Sequence, residues 1–137
     1  MTKKINWHDH IKSEGKYRSK FEAEVAHQLQ GMGATFLHEH DRIEYRNHEG
    51  TKVYIPDFTV YRDDGSVFFI EAKGWIDTSA NFKMRAVKNW NPKADIRFVF
   101  QSASARVAKL KSTVCQWAKR YKFPYAVGEV PHEWLTV

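Results

Sequence analysis

The apolar positions of this chain change period several times, and each change marks an element. Phe21, Val25, Leu29 and Met32 recur at helical spacing, with Ser19 placed to cap the start and Gly31 and Gly33 to end it. Residues 35–46 (TFLHEHDRIEYR) alternate loosely, as one strand or two would, and 47–50 (NHEG) reads as a turn. Residues 52–61 (KVYIPDFTVY) read as a strand containing a proline; proline donates no ladder bond, so an edge or a bulge is expected there. Residues 62–65 (RDDG) carry the Asp-Gly hairpin signal. Residues 67–73 (VFFIEAK) are apolar except for Glu71 and Lys73, as in a central strand covered on both faces. A helix is predicted over 79–90, with Phe82, Ala86, Val87 and Trp90 on one side and Pro92 just beyond it. A strand follows at 95–101, then an amphipathic helix at 112–122 carrying Val114, Trp117, Ala118 and Tyr121. Pro124 and Pro131 bracket a short tail. This order predicts an α/β fold, a central mixed β-sheet flanked by helices. Residues 1–16 are polar and aperiodic and read as a flexible basic arm; residues 17–137 read as one domain.

Composition adds that the chain can bury a core: 42% of its 137 residues are hydrophobic and 15% aromatic. Cys115 is the single cysteine, which excludes an intrachain disulfide and a cysteine-based zinc site, and it reads as a packed thiol. The first residues, MTKKINWHDHIK, have no apolar stretch of secretory type, and no apolar run approaches a membrane span, so a cytoplasmic protein is expected. Charge is unevenly distributed. Residues 82–137 hold 11 Lys/Arg against 3 Asp/Glu, whereas residues 1–81 hold 11 against 13. A basic arm and a basic C-terminal half thus flank an acid-rich middle, which suits a polyanion wrapped around a carboxylate site. Lys16, Arg18, Lys20, Lys83, Arg85, Lys88, Lys109 and Lys111 are the candidate phosphate contacts. The plainer account is a basic protein with a solvated surface.

The candidate chemistry lies in YIPDFTVYRDDGSVFFIEAKG, residues 54–74. Glu71 and Lys73 are two apart and share a strand face, and charges inside an apolar strand are costly unless paired or bound. A hairpin register centred on Asp64-Gly65 brings Asp57 beside residues 71–72. Two carboxylates are hard ligands for Mg²⁺, and a neighbouring lysine can meet a phosphate, so the set suits phosphodiester hydrolysis. A bare Glu-x-Lys is otherwise common on exposed strands. Glu22 would supply a third carboxylate, although Ser19-x-x-Glu22 also reads as a capping box. The pairs His8/His10 and His38/His40 read as solvent-exposed histidines rather than metal ligands. Trp75, Trp90 and Trp117 could stack on bases; for the last two, core packing is the expectation.

Pro56-Asp57…Glu71-Ala72-Lys73 resembles the signature of the PD-(D/E)xK nucleases. YRSKFEAEVAHQL (17–29), YIPDF (54–58), IEAKG (70–74), DIRFVF (95–100), the Ser102/Ser104 pair and KFPYA…VPHEWL (122–135) resemble, in order, the endonuclease I family of phage Holliday (four-way) junction resolvases. The resemblance implies a restriction-endonuclease-like core. It also implies catalytic roles for Glu22, Asp57, Glu71 and Lys73, and up to two Mg²⁺ or Mn²⁺ held by Glu22, Asp57, Glu71 and the Ala72 carbonyl. The substrate it implies is branched DNA. The protein would be a domain-swapped homodimer that shares active sites between chains, acting in the host cytoplasm. The sequence departs from the family in extra residues around Arg62-Asp63-Asp64 and in ending soon after Trp134, short of a long basic tail. The alternatives are a nicking, restriction-like or transposase-associated nuclease of the same superfamily, and a non-catalytic DNA-binding module.

Overall fold

The computed structural model describes residues 17–136. The expected basic arm, with Lys16, His8 and His10, lies outside the described residues.

Among the described residues, eleven short elements follow one another. They are α1 (Lys20–Gly31), β1 (Thr35–His38), β2 (Ile43–Asn47), β3 (Gly50–Tyr54), β4 (Phe58–Tyr61), β5 (Val67–Lys73), α2 (Thr78–Trp90), β6 (Ile96–Phe100), α3 (Val114–Arg120), β7 (Tyr125–Val127) and a 3₁₀ turn (His132–Leu135). Five strands form one sheet in the order β1-β4-β5-β6-β7, and β2 and β3 form a separate two-stranded sheet. β4 runs antiparallel to β1 and β5, and β6 runs parallel to β5 and β7, so the sheet is mixed.

β5 is central, as its apolar run predicts. Phe68 and Ile70 pack on one face with Phe21, Val25 and Leu29 of α1; Phe69 packs on the other with Met84 and Val87 of α2 and Trp117 of α3. The two faces make two cores. The second is aromatic: Phe98, Trp117 and Phe123 meet at centroid distances of 5.0–5.4 Å. Such contacts add to area burial when rings pack edge-on or offset.

Three sequence expectations are corrected. The single strand at 52–61 is two strands in two sheets: β3 ends at Tyr54, β4 begins at Phe58, and Ile55-Pro56-Asp57 crosses between them. Pro56 has no N–H to offer a continuing ladder, so the chain leaves one sheet where it stands and enters the other. The hairpin register pairs Phe58 with Ile70 and Tyr61 with Val67, which centres it on Asp64 rather than on Asp64-Gly65. Gly65 takes a positive φ of 87°, and Arg62 and Ser66 close the loop through the Arg62 N–H and the Ser66 carbonyl at 2.9 Å. A longer turn with glycine in the left-handed position replaces the two-residue turn. Finally, α2 buries Asn81, Met84 and Val87, while Phe82 and Trp90 are 63% and 53% exposed. The stripe facing the core is thus rotated away from the aromatics that seemed to define it. Trp117 does pack in the core, at 1% exposure. Cys115 is half-buried against the second core, with its thiol pKa pushed up by burial.

Candidate metal and phosphate site

α1 begins where Ser19 accepts a hydrogen bond from the Glu22 N–H at 3.1 Å. The reciprocal half of a capping box is missing. The Glu22 carboxylate turns inward instead, 3% exposed, and its Oε2 has no hydrogen-bond partner. A buried carboxylate oxygen without a donor is expensive, so capping does not account for this side chain.

The hairpin brings the other acids to the same place. Directly beyond the Phe58–Ile70 pair, the Asp57 N–H donates to Glu71 Oε1 at 3.2 Å, and the Ala72 N–H donates to Asp57 Oδ2 at 2.8 Å. The proline crossing sets this up: the Asp57 N–H turns to the Glu71 carboxylate, while the Asp57 carbonyl still accepts from the Glu39 N–H at the end of β1. Glu71, 5% exposed, accepts a further bond from the Tyr54 hydroxyl at 2.8 Å. Lys73 Nζ lies 3.7 Å from Glu71 Oε2, on the shared face that their spacing predicts. Alternation along β5 turns Ala72 toward the α1 core and Glu71 and Lys73 the other way. Asp57 stands between Glu71 and Glu22.

The electrostatics of this cluster are unfavourable for the protein alone. Burial holds the Asp57 pKa well above the usual carboxylate range, and the charges of Glu71 and Glu22 push it further. Burial also raises Glu71, against the opposing pull of Lys73, the Tyr54 hydroxyl and the Asp57 N–H. Converging carboxylates, with Asp57 and Glu71 raised despite Lys73, and a donorless buried oxygen on Glu22 are a hard-oxygen set whose negative charge the chain only partly offsets. A divalent cation such as Mg²⁺ or Mn²⁺ fits them.

These residues line a cleft of about 460 Å³. Arg18, Lys20 and Lys83 stand on its walls, and Trp75 is 56% exposed beside Lys73. Of the candidate phosphate contacts, these three basic residues are therefore at the site. Arg85, Lys109 and Lys111 are exposed but outside the cleft. Lys88, outside the cleft, is engaged within the fold. Its ammonium donates one hydrogen bond to the Lys122 carbonyl at 2.6 Å and sits 4.5 Å above the Phe123 ring, which ties this side chain to the segment after α3. His38 is a correction: its side chain is 6% exposed, and Nε2 lies 3.8 Å from Glu22 Oε2. His40 is exposed, as expected. Tyr54 was legible only as an apolar strand residue. Its place two positions before Pro56, at the end of β3, was the available signal.

Comparison with known proteins gives the family of the chain. The sequence model described as phage endonuclease I matches residues 3–137. The chain is 27% identical over 126 residues to Endonuclease I of Escherichia phage T7, covering 91% of this chain and 82% of that protein. It is 31% identical over 116 residues to Endodeoxyribonuclease 1 of Enterobacteria phage T3, covering 84% and 74%. By a match that spans nearly its whole length, the chain belongs to the phage endonuclease I family.

Proposed function

We propose that this protein is a metal-dependent endodeoxyribonuclease that resolves four-way and other branched DNA, structure-selectively and with little regard to sequence. The observation that carries the proposal is the convergence of Glu22, Asp57, Glu71 and Lys73 in one cleft with basic walls, in a member of this family.

Glu22, Asp57 and Glu71, with the Ala72 carbonyl, would hold up to two Mg²⁺, with Mn²⁺ as a substitute. When bound, the cations supply positive charge against the phosphate oxygens and lower the pKa of a neighbouring water. The chain's own residues do the rest. Tyr54 and the Asp57 N–H fix Glu71 from two sides, and the Ala72 N–H fixes Asp57, so the acids are oriented before substrate arrives. Lys73, its side chain 35% exposed, can reach a non-bridging oxygen of the scissile phosphate and align the attacking water. Water adds to phosphorus, one P–O ester bond breaks, and the leaving oxygen takes up a proton. Arg18, Lys20 and Lys83 meet the flanking phosphates, a contact type that positions the duplex without reading bases. Each site cuts one strand, so paired cuts across a junction call for a homodimer.

The test uses a labelled four-way junction and its linear arms, in Mg²⁺, Ca²⁺ and EDTA, at two salt concentrations. Binding without cutting in Ca²⁺, cutting in Mg²⁺, weaker binding at higher salt and preference for the junction are expected. Equal cutting of linear arms would replace the resolvase with a nicking or restriction-like nuclease. Binding with no metal response would leave a DNA-binding module.

A further inference from the structure

Glu22 is not the only potential ligand on its side of the cleft. His38, the last residue of β1, points Nε2 at it from 3.8 Å, and the same nitrogen lies 3.7 Å from Glu39 Oε1. Both separations exceed hydrogen-bond length. Donor atoms from Glu22, His38 and Glu39 all lie within 4.8 Å of one another, a spacing that one small cation can bridge. The imidazole packs against two rings, with centroids 4.4 Å from Tyr17 and 5.5 Å from Phe58. Glu39 is held by its backbone. It has a φ of 47°, unusual for a residue with a side chain, and its N–H donates to the Asp57 carbonyl at 3.0 Å. Strain of this kind persists where the surroundings enforce it, and it clusters at functional sites. The bond also ties the end of β1 to the backbone of the hairpin acid. Arg18 lies 3.5 Å from the same Glu39 oxygen but is largely exposed, so it can leave for a phosphate.

We propose that the cation at Glu22 is also ligated by His38 Nε2 and Glu39, a mixed nitrogen–oxygen set favouring first-row transition cations over Mg²⁺. This rests on the carboxylate site proposed above and adds a selectivity to its α1 side. Imidazole is a softer donor than carboxylate or water. It strengthens binding along the series from Mn²⁺ toward Zn²⁺ and does little for Mg²⁺. The other position, between Asp57 and Glu71, keeps oxygen donors and accepts Mg²⁺.

Mn²⁺ bound to the full chain reports its ligands directly. Electron spin-echo spectroscopy of the Mn²⁺-loaded protein should show coupling to an imidazole nitrogen, absent in His38→Gln. Calorimetry should show Mn²⁺ binding weakened in His38→Gln by at least the order of tenfold that even an outer-shell partner is worth, with Mg²⁺ affinity nearly unchanged. Glu39→Gln, at a half-buried position, should weaken Mn²⁺ in the same direction. A wild-type spectrum with proton couplings alone overturns the proposal, whether or not the variant folds. So does a nitrogen coupling that survives in His38→Gln. Asp57→Asn separates the two ideas: Mg²⁺ binding that is unchanged in that variant counts against the carboxylate site itself, while the nitrogen signal is judged separately.

Discussion

Asp57 pairs a useful position with an unfavourable one. Its carboxylate shares a cleft with two other acids, and burial with those charges raises its pKa. A group arranged this way serves a ligand at the expense of the free protein. In the absence of divalent metal, Asp57→Asn should therefore be more stable than the parent. A gain of about 1 kcal/mol would raise Tm by roughly 3–4 °C in a chain of this length. The asparagine oxygen can still accept from the Ala72 N–H, so the hairpin has no reason to shift. The same variant should lose most of the Tm increase that Mn²⁺ or Mg²⁺ gives the parent, together with cleavage. Thermal unfolding with and without metal checks both; a variant less stable than the parent in EDTA would contradict the charge argument. That Asp57, Glu71 and Lys73 lie together was legible in sequence because strand alternation and hairpin reach are short-range rules, whereas Glu22 read as a helix cap until the family resemblance singled it out. His38 and Tyr54 were not, because their contacts with Glu22 and Glu71 join residues from separate elements, and no local period reports that.

At the scale of elements, the sequence read well where one face dominates. α1 shows its core stripe plainly, and α3 carries Trp117 on its apolar side. α2 misled because its largest apolar residues, Phe82 and Trp90, are outside; Arg46 sits 5.9 Å from the Trp90 ring there, over a surface the helical period cannot distinguish from a core. The strand at 52–61 misled because β propensity does not say which sheet a strand joins, and only the proline hinted at a break. Basic residues divide in the same way. Lys88 looks like a phosphate contact in a charge map, yet it bridges α2 to the Lys122 carbonyl after α3. Lys88→Met should leave junction affinity and its salt slope within error while changing Tm. Arg18→Ala or Lys20→Ala, at the cleft, should weaken binding and reduce the slope of log affinity against log salt by about 1 for each phosphate no longer neutralised. Gel-shift titrations at several salt concentrations measure this. A Lys88 variant whose salt slope falls as far as that of Arg18→Ala would return Lys88 to the DNA interface.

For the whole molecule, the open matter is how many chains build one site. In the single chain, β1 pairs with β4 and α1 packs on β5, so Glu22 reaches the hairpin acids without help. The shared-site dimer implied by the family resemblance would assemble the same contacts between chains. Two inactive variants distinguish the arrangements. Glu22→Gln and Asp57→Asn, unfolded together and refolded as a mixture, give mixed dimers. If sites are shared, one site of each mixed dimer has all its acids, and nicking of a junction should reappear at a substantial fraction of the parental rate. If each chain closes its own site, every site carries one defect and the mixture stays inactive. Among the described residues no helix is long and apolar enough to cross a membrane.

The proline crossing has a consequence for how this chain can change over evolution. Because Tyr54 ends one sheet and Phe58 begins another, the three residues between them act as a ruler that sets Asp57 against Glu71 and Ala72. Length is free to vary at the Asn47–Gly50 turn, whose far end touches none of the acids. It is not free between Tyr54 and Phe58. One alanine inserted after His48 should leave cleavage within a few fold, whereas one inserted after Ile55 should abolish it in a protein that still folds, as circular dichroism and the junction assay together would report. Lineages of this fold would then diverge by growing and trimming the outer hairpin, while the ruler keeps its length.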